Sequence, residues 1–349
     1  MARARRADGL HEPGGHAPAR RRSRRRRRQP RRHRAACGRE SVRQDAGGHA
    51  LGAQHRGRRI ASRPVSTTTL ATPTVESLAR EHPEFGGWLD LLSAVADEAA
   101  TSAWADAIPD ASAAGVPLLA GATLTIDPVV ASAWLRRLLD VGARSAPVLA
   151  SAAEKLDGLV MLEAAIALDT MRIDALADAA GVPAEPLRAV LPLVAWPWLQ
   201  CCGARLGNRV PADHAHAWCP ICGAWATLAE ARGLESARRL RCGRCGGDWR
   251  AAWLCCPFCG TDEHARLRGL VRETTGEARR ADGCAACGAW VKTITTLGAS
   301  PIGEVRLLDL ATVDLDVAAL ARGWKRPGGV GAALDVHVVA RERRRWWQR

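Results

Sequence analysis

The chain has 349 residues, 47% of them hydrophobic, and a formal net charge of +14 at pH 7. That length allows two domains and a tail. The first 65 residues hold 20 arginines against 4 acidic residues. They carry +16 of the +14, so the remainder is −2, which speaks against a folded part that holds nucleic acid by charge. No run of 18 apolar residues is present, so no membrane span is expected. Thirteen Trp stand beside two Phe and no Tyr; nothing physical in the sequence accounts for that bias.

Residues 1–65 are rich in Arg, Gly and His and show no hydrophobic period. They read as a disordered tail, with an arm for nucleic acid or an acidic partner as the alternative. From Thr74 to Leu199 the pattern turns helical. Val75, Leu78 and Ala79 form one helix face, stopped by His82-Pro83. Trp88, Leu89, Leu91, Leu92, Val95 and Ala96 form the next stripe. Thr125 to Pro128 reads as a loop that caps a helix carrying Val130, Trp134, Leu135, Leu138 and Leu139. Further helices are predicted over Pro147–Asp157, Leu159–Leu168 and Ile173–Ala180, the last ended by Gly181-Val182-Pro183. A final one over Leu187–Leu199 is bent or broken by Pro192 and Pro197. The prediction for residues 66–202 is a helical bundle.

Residues 203–300 carry a different signal. The pattern C-x-x-C-G occurs four times, at Cys219/Cys222, Cys242/Cys245, Cys256/Cys259 and Cys284/Cys287. Two thiolates at this spacing grip one ion from a single tight turn, and the following glycine accepts a positive φ. A tetrahedral site needs four ligands, so four turns make two sites. Nineteen residues separate Cys222 from Cys242, and 24 separate Cys259 from Cys284. Either gap suits a hairpin, whereas ten residues lie between Cys245 and Cys256. The economical pairing is sequential: Cys219, Cys222, Cys242 and Cys245 in the first site, Cys256, Cys259, Cys284 and Cys287 in the second. A crossed pairing stays open. Ala224–Leu228, Arg238–Arg241, Trp249–Leu254 and Val291–Thr295 fit short strands. The expected fold is therefore α+β: an N-terminal helical bundle, then two tandem rubredoxin-like or zinc-ribbon modules built on short β-hairpins. Residues 301–327 read as a closing helical segment, and 328–349 as a tail.

Four thiolates suit zinc or a single iron, and spacing does not separate the two. Thioredoxin-type redox chemistry needs a βαβ setting that is missing. Cys255, Cys201 and Cys202 read as small hydrophobes. His214, His216 and His264 read as surface residues beside a complete sulfur set. Asp309, Asp314 and Asp316 read as the solvated face of the closing helix. No catalytic motif stands out, and two closed sites leave no position for a substrate. A non-enzymatic role is expected.

The four knuckles in order, Leu240-Arg-Cys242 leading through Trp249 to Cys256 and Gly260, Cys287-Gly288 followed by Val291-Lys292, and the closing Asp309 to Thr312, Leu315-Asp316 and Gly323-Trp324 resemble the formate dehydrogenase accessory protein family, FdhE. His82-Pro83, Pro117 to Leu119 and Asp127-Pro128 extend the likeness, which covers roughly Thr74 to Pro327. Trp88, Trp196, Trp290 and Trp324 stand where that family commonly has Tyr. The resemblance implies a cytoplasmic, rubredoxin-like protein with two iron ions, zinc being the alternative. It implies a maturation factor that binds the catalytic subunit of formate dehydrogenase, with a homodimer possible. A zinc-ribbon nucleic-acid binder and a rubredoxin-like electron carrier are the other expectations.

Overall fold

The computed structural model describes residues 72–109, 115–272 and 276–342; the arginine-rich segment 1–65 lies outside them. Thr74 opens the first helix, α1 (Val75–Glu81). Its hydroxyl accepts from the Ser77 amide while the Ser77 side chain takes the Thr74 amide, a reciprocal cap. After the His82-Pro83 stop come α2 (Gly86–Ala99) and the short α3 (Ser102–Ala105). Thr125 and Ile126, expected in a loop, belong to a strand, β1 (Thr123–Ile126). Asp127 then accepts from the Val129 amide with Pro128 in the first turn, which starts α4 (Pro128–Ala143). Where a helix was expected over Pro147–Asp157, only a 3-10 turn forms at Pro147–Ser151.

Asp157 caps α5 (Gly158–Ala167) through the amides of Leu159 and Val160. α6 (Thr170–Ala180) ends at Gly181, whose φ of 62° is the left-handed stop read from the sequence. α7 (Ala184–Val190) and α8 (Trp196–Leu206) follow, separated by a 3-10 turn at Leu191–Ala195. Pro192 and Pro197 each sit in the first turn of the next element, where no amide is needed, so they divide the segment rather than kink it. α5 is apolar on nearly every side and lies against α4. A Cβ at Gly158 would stand 2.6 Å from the Ser132 backbone nitrogen. Two buried indoles satisfy their N–H groups across this core: Trp134 donates to the Val194 carbonyl and Trp198 to that of Ala107.

The second half is one sheet. Its strands are β2 (Leu228–Arg232), β3 (Ala237–Arg241), β4 (Asp248–Arg250), β5 (Leu267–Arg272), β6 (Gly276–Cys284) and β7 (Trp290–Thr296), in the order β4-β3-β2-β7-β6-β5. Every neighbouring pair is antiparallel except β2 with β7. Each cysteine module thus supplies three strands, and a parallel ladder joins the two sets. The hairpins expected as separate units are continuous.

One sheet face, with Ala229, Leu240 and Val291, joins the helical core. The other carries α9 (Val305–Leu310) and α10 (Val313–Ala321): Val305 and Leu308 meet Leu228 and Ile294, and Leu315 and Ala319 meet Ala281 and Trp290. Residues 328 onward, expected as a loose tail, return to the helical half. Leu334 and Val336 are buried there, and β8 (His337–Ala340) pairs in parallel with β1.

A charge cluster locks α9 and α10 to the sheet. Lys292 on β7 is fully buried, and its Nζ lies 2.6 Å from Asp309 Oδ1 and 2.5 Å from Asp316 Oδ2. Arg326 also pairs with Asp316, and the Trp290 indole donates to it. Asp309 and Asp316, expected on a solvated face, therefore hold a buried cation; only Asp314 points elsewhere, to Arg272 on β5. An unpaired buried ammonium would cost several kcal/mol, ~3–5 for a broken buried pair, so these carboxylates belong to the fold. Burial raises the pKa of Asp309, but Lys292 and Arg306 outweigh it and hold the carboxyl below its ordinary value. A depressed folded pKa stabilises above the unfolded value, about 4, and that contribution disappears as pH falls through the folded value. Urea denaturation should show Asp309→Asn less stable than the parent chain near pH 7, with the gap shrinking as pH falls below about 4. A gap that does not change with pH would contradict the cluster as described.

Candidate metal centres

Each C-x-x-C-G turn folds in the same way. The glycine amide returns to the first cysteine's carbonyl: Gly223 to Cys219, Gly246 to Cys242, Gly260 to Cys256 and Gly288 to Cys284, at 2.8–2.9 Å. The first cysteine's amide reaches the residue after that glycine, as in Cys219 to Ala224 and Cys284 to Ala289. The four glycines have φ of 71–74°, a region costly for any side chain with a Cβ. Both sulfurs of a turn therefore leave from one side, and the Ile221 amide points at Cys219 Sγ, 3.4 Å away.

The strands bring the turns together in sequence. Cys219, Cys222, Cys242 and Cys245 form one group and Cys256, Cys259, Cys284 and Cys287 another, with all four sulfurs of each within 4.8 Å of one another. Short edges are Cys219–Cys245 at 3.4 Å, Cys222–Cys242 at 3.5 Å, and Cys256–Cys287 and Cys259–Cys284 at 3.7 Å. All eight are free thiols. A zinc–sulfur bond of about 2.3 Å gives a tetrahedral edge of about 3.8 Å. The sulfur spacing thus fits a tetrahedral ion, zinc or iron alike. Among the described residues, neither group includes a histidine or carboxylate.

The two groups differ in surroundings. The first is wholly buried and joins the halves of the molecule. Arg244, between its second pair of cysteines, donates to the carbonyls of Ala165 and Ile166 at the C-terminal end of α5. Leu118 and Leu119 donate to Pro220 and Ile221 in the first turn, and Ala332 donates to Gly223. Gly203 on α8 lies so close that a Cβ there would meet the Cys245 carbonyl oxygen at 1.8 Å. Trp249 seals a side by donating to the His216 carbonyl. His214, expected at the surface, is buried by Trp218 and Trp249 and sits 2.8 Å from the Trp218 carbonyl; burial lowers its pKa.

The first four thiols are crowded against one another. The nearby sulfurs of Cys219, Cys222 and Cys245 hold Cys242 well below the usual thiol range. Burial pushes Cys219 up, and the contact with Cys219 pushes Cys245 up. A divalent ion bound here would displace the thiol protons, since the ligand form of cysteine is the thiolate.

The second group is open on one side: Cys256 and Cys284 are buried, Cys259 and Cys287 exposed. The hydrogen bond from Cys256 lowers Cys287 to about 5, while burial raises Cys259 to about 11. Cys255 is buried outside both groups, as is Cys202 in the core, while Cys201 is half-buried with its thiol donating to the Ala99 carbonyl. His264 is exposed. Sequence reasoning missed the partners of the first group in the helical half. Gly203 was the available signal, a glycine inside an apolar helix beside two cysteines.

No protein-family model matches the chain. A curated protein from Stutzerimonas stutzeri (strain A1501), named "Protein FdhE homolog", is 33% identical over 111 residues. The chain resembles FdhE. The match covers 31% of this chain and 35% of that relative's length, so it spans about a third of the curated protein. The crystal structure of the FdhE protein from Pseudomonas aeruginosa aligns with a TM-score of 0.46 and 19% identity, over 74% of this chain and 96% of that one. Of the four tryptophans set against that family's tyrosines, Trp290 keeps a polar partner in Asp316. Trp196 lies under Arg306 with its indole nitrogen unpaired, Trp324 packs on Gly283, and Trp88 is exposed.

Two predictions follow from the burial contrast and the α8 contact. Zinc-loaded protein treated with a chelator should lose one equivalent quickly and the second only on unfolding, measured with a colorimetric zinc indicator; simultaneous loss would contradict the difference in exposure. Gly203→Ala should destabilise by about 1–3 kcal/mol or more through overpacking, whereas Gly207→Ala, which meets nothing within 4 Å, should be near neutral in the same thermal melts.

Proposed function

We propose that this chain is a metal-binding accessory protein for the maturation of formate dehydrogenase, and that it docks on the catalytic subunit. The observation that carries the reading is sulfur closure. Each group offers four thiols to one ion, which leaves no corner for substrate or water. Cys219, Cys222, Cys242 and Cys245 are the ligands of the first ion in this reading, and Cys256, Cys259, Cys284 and Cys287 those of the second. Iron is the preferred metal, with zinc the alternative. The resemblance to FdhE supplies the client. Residues 66–202 serve as the body and 203–300 as the metal-bearing part, in a cytoplasmic protein that works beside its client, alone or as a homodimer. Among the described residues no helix is long and apolar enough to cross a membrane.

A second reading has one observation in its favour. Two exposed sulfurs in the second group would let an iron there exchange electrons, as in a rubredoxin-like carrier. Binding to nucleic acid has less support, because the chain after residue 65 carries −2.

The test is complementation of a strain lacking its accessory protein. The parent chain should restore formate dehydrogenase activity, and Cys256→Ser/Cys259→Ser should lose one metal equivalent and most of the rescue. Full rescue by that variant would remove the role of the second site. The visible spectrum of protein purified without air separates iron from zinc: ferric thiolate bands favour iron, and a colourless zinc protein overturns it.

A further inference from the structure

Beside the second cysteine group runs a groove of about 650 Å³, floored by β5 and β6 and walled by the segment from Trp253 to Phe258. Strand alternation fixes its floor. Leu267, Gly269 and Val271 line it, opposite Cys284, Asp282 and Arg280 on β6. Of the intervening residues, Leu270 packs with the α10 cluster and Arg272 pairs with Asp314, while the Arg268 guanidinium folds back onto the Ala265 and Leu267 carbonyls at the rim of the groove. Cys256 of the second group lines its wall.

Three features here serve nothing inside the chain. Leu254 on the wall and Val271 on the floor are 63% and 55% exposed, two large apolar side chains offered to the same groove. Leu254 also holds a φ of 48°, a strained region for a branched side chain. Gly269 interrupts β5 although a Cβ there would meet nothing within 4 Å. Glycine weakens a strand and is found inside one at a bulge or where another backbone comes close; the β5–β6 register shifts two residues further on, between Val271 and Arg272, which leaves Gly269 itself in regular pairing. β5 is also the last strand of the sheet, and its outer side pairs with no strand among the described residues.

Charge decides the occupant. Arg238, Arg268 and Arg280 face the groove against one carboxylate, Asp282, which is already held by Arg238 and Arg280. Arg238 is buried and its Nε has no hydrogen-bond partner. The lining is therefore positive and apolar at once. We propose that this groove takes an extended peptide segment of a client protein, with acidic and bulky apolar side chains, laid along β5 with its backbone against Gly269. Main-chain pairing at the strand edge would supply affinity, and the pockets and arginines would select the side chains. The proposal rests on the accessory-protein reading for the identity of the client, and on the groove alone for the chemistry of the segment.

The probe is a fluorescein-labelled decapeptide of alternating leucine and glutamate, with a leucine and lysine peptide as the control, read by fluorescence anisotropy on the full, metal-loaded chain. The acidic peptide should bind and the basic one should not. Gly269→Val, which adds a good strand former where there is room, should keep the melting temperature and metal content while weakening binding about tenfold or more. Leu254→Asp should do the same by repulsion. Equal binding of both peptides, no binding of either, or full binding by Gly269→Val would overturn the proposal. So would a concentration-dependent dimer that Gly269→Val dissociates, since the occupant would then be a second copy. Complementation keeps the two readings apart: rescue by the parent chain and equally by both groove variants sinks the groove alone, whereas failure of the parent chain to rescue sinks the accessory reading and leaves peptide binding measurable.

Discussion

Four buried sulfurs hold the molecule together. The turn at Cys219 takes hydrogen bonds from Leu118, Leu119 and Ala332, and the turn at Cys242 takes Arg244 to the end of α5 and presses its backbone on Gly203. Helical half, sheet and returning C-terminal segment therefore meet on one cluster. Four sulfurs packed this closely under the core repel one another once ionised, and one ion bound among them would turn the same cluster into a link between those parts. Metal affinity at structural four-ligand sites is on the order of 10–16 kcal/mol in small peptides. An ion here would hold contacts that run from residue 118 to residue 332.

The two cysteine groups show how far surroundings, rather than local fold, set the character of a site. The four turns share their hydrogen bonds and glycine conformation. The first pair of turns lies under the helical core and is sealed by Trp249; the second lies at the far end of the sheet, with two sulfurs in solvent. Burial was decided by what packs on each turn. The Lys292 cluster plays a comparable part on the opposite sheet face. There a single buried ammonium takes two carboxylates from two helices and fixes where the sheet is covered.

Local chemistry made much of this legible in the sequence. The four knuckles, their sequential grouping, the Asp127 start of α4 and the Gly181 end of α6 are each decided within a few residues, so they could be read directly. The failures are long-range. β1 is legible as a strand only through β8, since Thr123 pairs with His337. β5 and β6 carry Arg268, Arg272, Arg279 and Arg280 between sparse apolar residues, and their alternation is hidden because one face meets α10 while the other lines an open groove. His214 and the two carboxylates on Lys292 look solvent-facing in sequence; tryptophans and a lysine far along the chain bury them.

The parallel join between β2 and β7 has a geometrical outcome of its own. Each module contributes its strands in the same order and sense, so the second is set beside the first by a near translation. Head-to-tail joining of this sort pairs unlike borders, so a third unit could in principle be added at either side, as in filaments. The two borders differ: β4, only three residues long, is a poor template, while β5 offers a longer row of backbone groups interrupted by Arg268 and Arg272.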